Sequence, residues 1–132
     1  MNQRERALQN EIRAKLPVCT QYFRNATIID NNPVPVRDKA GSVCGIKKTH
    51  ANKGAGDLLI QAPGGRAFWL ECKTGNRKQT KEQKNFQAKW EAGGGKYYVV
   101  RSVRDALMAC LDFAGAHGVV DHLLERVLEQ VL

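Results

Sequence analysis

Apolar positions along the chain change period several times, and each change marks an element. Ala7, Leu8, Ile12 and Leu16 recur at helical spacing within residues 3–16, and Pro17 is expected to stop that helix. A short strand is expected within "YFRNATIID", and "NNPVPVRDKAG", rich in proline and asparagine, reads as loop. "DLLIQ" and "AFWLECK" then alternate around "APGGR", a strong turn signal, and form a hairpin. Residues 80–92 return to helix, with Thr80 as N-cap and Gly93, Gly94 and Gly95 ending it. "KYYVV" is a strand, and Ser102 with Asp105 three residues on caps a helix over "VRDALMACLDFA". From 119 to 131, Val120, Leu124, Val127 and Val131 share one stripe, with Leu123 and Leu128 beside it, so a final amphipathic helix is expected. Helix, strands, helix, strand, helix is the order of an α/β domain with helices packed on one sheet.

A length of 132 residues suits a single domain over 1–132 with a real core. A net charge of +8 favours a polyanionic partner, nucleic acid before membrane. No apolar stretch approaches the roughly 20 residues that span a bilayer. "MNQRERALQNEIRAKL" lacks the uncharged core of a secretory signal, so an intracellular, cytoplasmic protein without a membrane partner is expected. Cys19, Cys44, Cys72 and Cys110 show no paired CxxC spacing, which favours packed thiols over disulfides or zinc.

Charge changes the picture most within "AFWLECKTG". Glu71 and Lys73, two apart on a strand, share one face, while Phe68, Leu70 and Cys72 share the other. Charges in an apolar run are costly without compensation. A turn centred on Gly64 puts Asp57 directly across from Glu71, with Cβ atoms about 4.5–5.5 Å apart. Carboxylates that close repel unless a proton or cation lies between them, and a hard ion such as Mg²⁺ suits their oxygens. Such an ion acidifies water and polarises a phosphoryl oxygen. Lys73 would orient the water or neutralise developing charge, so the chemistry implied is phosphodiester hydrolysis. The bland alternative is a surface ion pair on an edge strand, worth about 0–1 kcal/mol. Lys47, Lys48, Lys53, Arg77, Lys78, Lys81 and Lys84 flank the site and are candidate nucleic-acid contacts, against the alternative of a solvated lysine face. His50 lies in the same basic stretch and is either a phosphate contact, a base or neither.

"GAGDLLI…FWLECKTGNRKQTKEQKNFQAKWEAGGGKYYVVRS" resembles the virus-type replication–repair nuclease domain, VRR-NUC, of the PD-(D/E)XK nuclease superfamily, over residues 54–105. The resemblance implies a restriction-endonuclease-like α/β core, a small mixed central sheet flanked by helices. It also implies a Mg²⁺- or Mn²⁺-dependent DNA endonuclease, structure-selective on branched DNA such as four-way junctions, homodimeric, bacterial or phage-encoded, with no small-molecule substrate. By position Asp57, Glu71 and the Cys72 main-chain carbonyl match the metal ligands, and Lys73 the catalytic lysine. Gln83 matches a glutamine of the family, although Thr80 and Gln83 also form a capping box. "ERALQ" resembles the first-helix pattern and selects Glu5, near Gln9, with Glu11 as competitor; "FRN" at 23–25 resembles an Arg-Asn ahead of the core. Gly56 stands where the family has proline, which predicts a looser approach to Asp57. The C-terminal helix is either a dimer element or a cover for its own sheet. Two competing readings remain: a non-catalytic nucleic-acid-binding module, which clustered carboxylates oppose, and a site-specific restriction nuclease, for which the chain leaves little room.

Overall fold

In the computed structural model, residues 3–31, 34–47 and 54–131 are described. The chain runs α1 (Gln3–Cys19), β1 (Thr27–Asp30), β2 (Val34–Arg37), β3 (Val43–Lys47), β4 (Leu58–Gln61), β5 (Ala67–Cys72), α2 (Lys81–Ala92), β6 (Lys96–Val100), α3 (Val103–Ala116) and α4 (His122–Val131). The main sheet has the order β1-β4-β5-β6, and β2 pairs with β3 in a separate two-stranded sheet. β4 runs antiparallel to β1 on one side and to β5 on the other, whereas β6 joins β5 in parallel after the α2 crossover. The sheet is therefore mixed, with helices on its faces.

The β4–β5 register pairs Leu58 with Leu70 and Gln61 with Ala67, as a turn centred on Gly64 requires. Gly64 and Gly65 take φ of 83° and 79°, a region in which residues bearing a Cβ are strained. One face of the sheet, through Leu58, Ile60, Phe68, Leu70 and Val100, packs on α1, α3 and α4. Phe23, Phe68 and Phe113 form its aromatic centre, with the Phe68 and Phe113 rings 4.4 Å apart. The other face carries Trp69 and Tyr97 against Phe86 and Trp90 of α2. β5 is thus buried on both faces, which explains its nearly continuous apolar run.

Several elements differ from the sequence reading. α1 passes through Pro17 to Cys19. Proline there removes one hydrogen bond near the helix end, while Leu16 is held in the core and the Thr20 hydroxyl closes the end on the Leu16 carbonyl at 3.2 Å. The expected loop at 31–41 contains β2, which pairs with β3 across a turn. Asp38 makes that turn by accepting from the Ala40 and Ser42 N–H groups, and a two-stranded ribbon, being all edge, tolerates Pro35. Within 22–30 only Thr27–Asp30 is strand. α4 begins at His122 rather than 119 because Asp121 is its cap: Oδ1 accepts the Leu124 N–H at 3.0 Å. Asp121 Oδ2 also accepts the N–H groups of Gln21 and Tyr22, at 2.8 and 2.9 Å, tying α4 to the end of α1. Leu124 and Leu128 are buried in the core, so this stripe of α4 covers its own chain. All four cysteines are free thiols, and no described helix is long and apolar enough to cross a membrane.

Candidate active site

The β4–β5 ladder stops at Leu58, and Asp57 replaces its next rung. Its N–H donates to the Leu70 carbonyl at 2.9 Å, and its carboxylate accepts the Cys72 N–H at 2.6 Å. Burial raises the Asp57 pKa from 3.8 to about 6; the Cys72 N–H and Lys73 oppose the rise, while Glu71 and Glu5 add to it. Lys73 N–H bonds across to Val100 on β6. Because peptide groups alternate along a strand, the N–H and carbonyl of Cys72 both face the opposite side, toward Asp57. Burial also pushes the Cys72 thiol up, so it stays neutral on the core face.

Glu71, on the inner strand β5, is fully buried, and Lys73, just past its end, is 4% exposed. They are not a surface ion pair on an edge strand. Glu71 Oε1 accepts the Tyr97 hydroxyl and, at 3.5 Å, the Gln79 amide. Burial and the Glu71 bond push the Tyr97 phenol up, which keeps it a donor. Glu71 Oε2 accepts no hydrogen bond among the described residues and faces Lys73 Nζ at 3.9 Å. A buried carboxylate oxygen in that state calls for a chemical reason. With the Asp57 carboxylate and the Cys72 carbonyl it offers oxygen donors of the kind a hard divalent cation takes. Among the described residues no group of three or more His, Cys, Asp or Glu side chains is arranged for a metal. An ion here would accordingly rely on two carboxylates, a carbonyl and water.

Gly56 corrects the expectation of a loose approach. A Cβ there would lie 2.9 Å from the Leu70 carbonyl oxygen and 3.2 Å from Trp69 Cβ, so glycine lets the chain pass over β5. Asn31 pins the passage, its side chain donating to the Gly56 carbonyl at 3.1 Å and its N–H to the Asp57 carbonyl at 2.9 Å. Gly54, at φ 92°, passes so close to α2 that a Cβ would fall 2.2 Å from the Glu82 carbonyl oxygen.

Among the remaining candidates, Glu5 is buried at the start of α1 and pairs with Arg77 Nε at 2.9 Å, and its charge reaches Asp57. Glu11 is exposed and pairs with Lys15, so the two glutamates are clearly separated. Gln83 closes the α2 capping box, accepting the Thr80 N–H at 2.8 Å and donating its own N–H to Thr80 Oγ1. The glutamine that reaches Glu71 is Gln79, itself braced by Gln87 at 2.9 Å. Arg77, Lys78, Lys81 and Lys84 are exposed along the segment after β5. Arg101 joins them by donating to the Gly75 carbonyl at 3.1 Å. The Lys47 side chain, Lys48, His50 and Lys53 lie outside the described residues. Tyr97, Gln79 and Arg101 were not singled out by the sequence. The alternation of "KYYVV" was the available signal for Tyr97, since a buried tyrosine hydroxyl requires a partner.

No family model and no curated protein matches the chain. A solved structure described as a "VRR_NUC domain" is similar in fold, with a TM-score of 0.51 at 19% identity, covering 80% of this chain and 94% of that one. The chain therefore shares the fold of that structure, a mixed sheet flanked by helices.

Proposed function

We propose that this protein is a metal-dependent DNA endonuclease that hydrolyses phosphodiester bonds, structure-selective on branched DNA such as four-way junctions and acting as a homodimer. The observation that carries the reading is the buried Glu71 carboxylate, which leaves one oxygen bare beside a buried Lys73 and across from Asp57. The VRR_NUC fold supports it. Mg²⁺ or Mn²⁺ held by Asp57, Glu71 and the Cys72 carbonyl would supply an acidified water and polarise the phosphoryl oxygen.

Each residue then has its own task. Lys73 brings a desolvated cation to the floor of the site, where it neutralises charge developing on the phosphate. Arg77, Lys78, Lys81 and Lys84 bind the DNA backbone, and Lys47, Lys48 and Lys53, which precede Asp57 in the chain, are assigned to the same task. Glu5 orients Arg77 at the edge of the site. Gln83 contributes by fixing the start of α2, which abuts the Gly54 turn leading to Asp57. A two-fold dimer would present paired sites to opposing strands of a branched substrate. A purely binding module has no use for buried carboxylates, which repel phosphate.

The test uses labelled duplex, flap and four-way-junction DNA with Mg²⁺, Mn²⁺ or EDTA, beside Lys73→Ala. Metal-dependent cleavage that is lost in the variant, strongest on the junction, is the expected result. Binding without cleavage on every substrate in both metals would refute the reading.

A further inference from the structure

The surroundings of Glu71 divide its two oxygens between two jobs. Oε1 is enclosed by protein donors, the Tyr97 hydroxyl from β6 and the Gln79 amide from the segment before α2. Oε2 is left without a donor beside Lys73. Tyr97 is 4% exposed and packed against Phe86, so its hydroxyl has little freedom to move. The same hydroxyl lies 3.3 Å from the Gly54 carbonyl, in the turn that leads to Asp57. A single phenol therefore touches both the Glu71 carboxylate and the approach to the Asp57 carboxylate. Gln79 is held in turn by Gln87, and Gln87 by Glu91 at 3.4 Å, a brace running along α2.

We infer that Tyr97 and Gln79 are positioning residues that lock Glu71 onto one oxygen and present the other, setting the affinity of the site for divalent cations and the ratio of its affinities for Mg²⁺ and Mn²⁺. The inference rests on the proposed metal-dependent function. Mg²⁺ demands near-ideal octahedral geometry, so a carboxylate free to rotate penalises it more than an ion with softer requirements. Partners that orient a ligating side chain are typically worth 10–100-fold in metal affinity.

The experiment titrates wild type, Tyr97→Phe and Gln79→Ala with MgCl₂ and with MnCl₂, reading binding by calorimetry and by the shift in thermal unfolding, without DNA. Wild type should bind both ions. Tyr97→Phe should bind Mg²⁺ about 10–100-fold more weakly, with a smaller loss for Mn²⁺, and Gln79→Ala should shift the same ratio in the same direction. Unfolding in EDTA reports whether each variant is folded; should Tyr97→Phe fail there, half-buried Gln79 carries the test. Wild-type Mg²⁺ affinity and an unchanged Mg²⁺ to Mn²⁺ ratio in the folded variants would overturn the inference while leaving the nuclease reading intact. Wild type that binds neither ion would overturn both.

Discussion

Asp57→Asn should make the metal-free protein more stable while removing its proposed function. The Asp57 carboxyl ionises near 3.8 in an unfolded chain and at about 6 in the folded one. Between those values the native state holds the extra proton, so stability falls as pH rises through the window, and the full penalty applies above it. At about 1.4 kcal/mol per pH unit, that penalty is about 3 kcal/mol at pH 7. Asparagine keeps an acceptor for the Cys72 N–H and removes the repulsion with Glu71. The pKa of about 6 already contains the hydrogen bond from the Cys72 N–H to the ionised carboxylate. The net gain is then about 2–3 kcal/mol, or a rise in Tm of roughly 6–15 °C for a chain of this size. The assay is thermal unfolding in EDTA at pH 4 and pH 7.5, repeated with Mg²⁺. Asp57→Asn should melt above wild type at pH 7.5, lose that advantage at pH 4, and gain nothing from Mg²⁺. A variant less stable than wild type at pH 7.5, or an equal difference at both pH values, would refute the argument.

Lys73→Met should abolish cleavage in both metals yet leave the protein folded, because the long apolar side chain fills the same buried space; a junction-cleavage assay paired with circular dichroism reads both. Gly56→Ala forces its Cβ against the Leu70 carbonyl and should destabilise the protein by about 1–3 kcal/mol, measurable by urea unfolding, with wild-type stability contradicting the close approach. Joint replacement of Lys78, Lys81 and Lys84 by glutamine should weaken DNA binding on all substrates alike and flatten the slope of log affinity against log salt by about 2–3, checked by fluorescence anisotropy between 50 and 200 mM salt.

The hairpin register was legible because turn chemistry and period-two alternation agree: Pro63, Gly64 and Gly65 leave one way to pair "DLLIQ" with "AFWLECK". Asp57 opposite Glu71 followed from that register alone. Whether Glu71 and Lys73 are buried did not follow, because it depends on β6 arriving in parallel beside β5 and on α2 lying over that face. Tyr97 and Gln79 escaped notice for the same reason: they meet Glu71 only through that crossover, 26 and 8 residues away in sequence. Gly56 was misread because comparison with a proline pattern weighs backbone freedom, whereas the position is governed by the space over Leu70. β2 was missed because Pro35 argues for loop wherever a central strand is assumed, and a strand of a two-stranded ribbon is exempt.

Asp121 joins parts of the chain that are 100 residues apart. Closing so large a loop costs entropy that only an already assembled sheet and α1–α3 core can offset, so this clasp forms late. Interactions that form after the rate-limiting step leave the folding rate alone and act on the unfolding rate. Asp121→Ala is therefore expected to quicken unfolding in a denaturant jump and to leave the refolding rate unchanged.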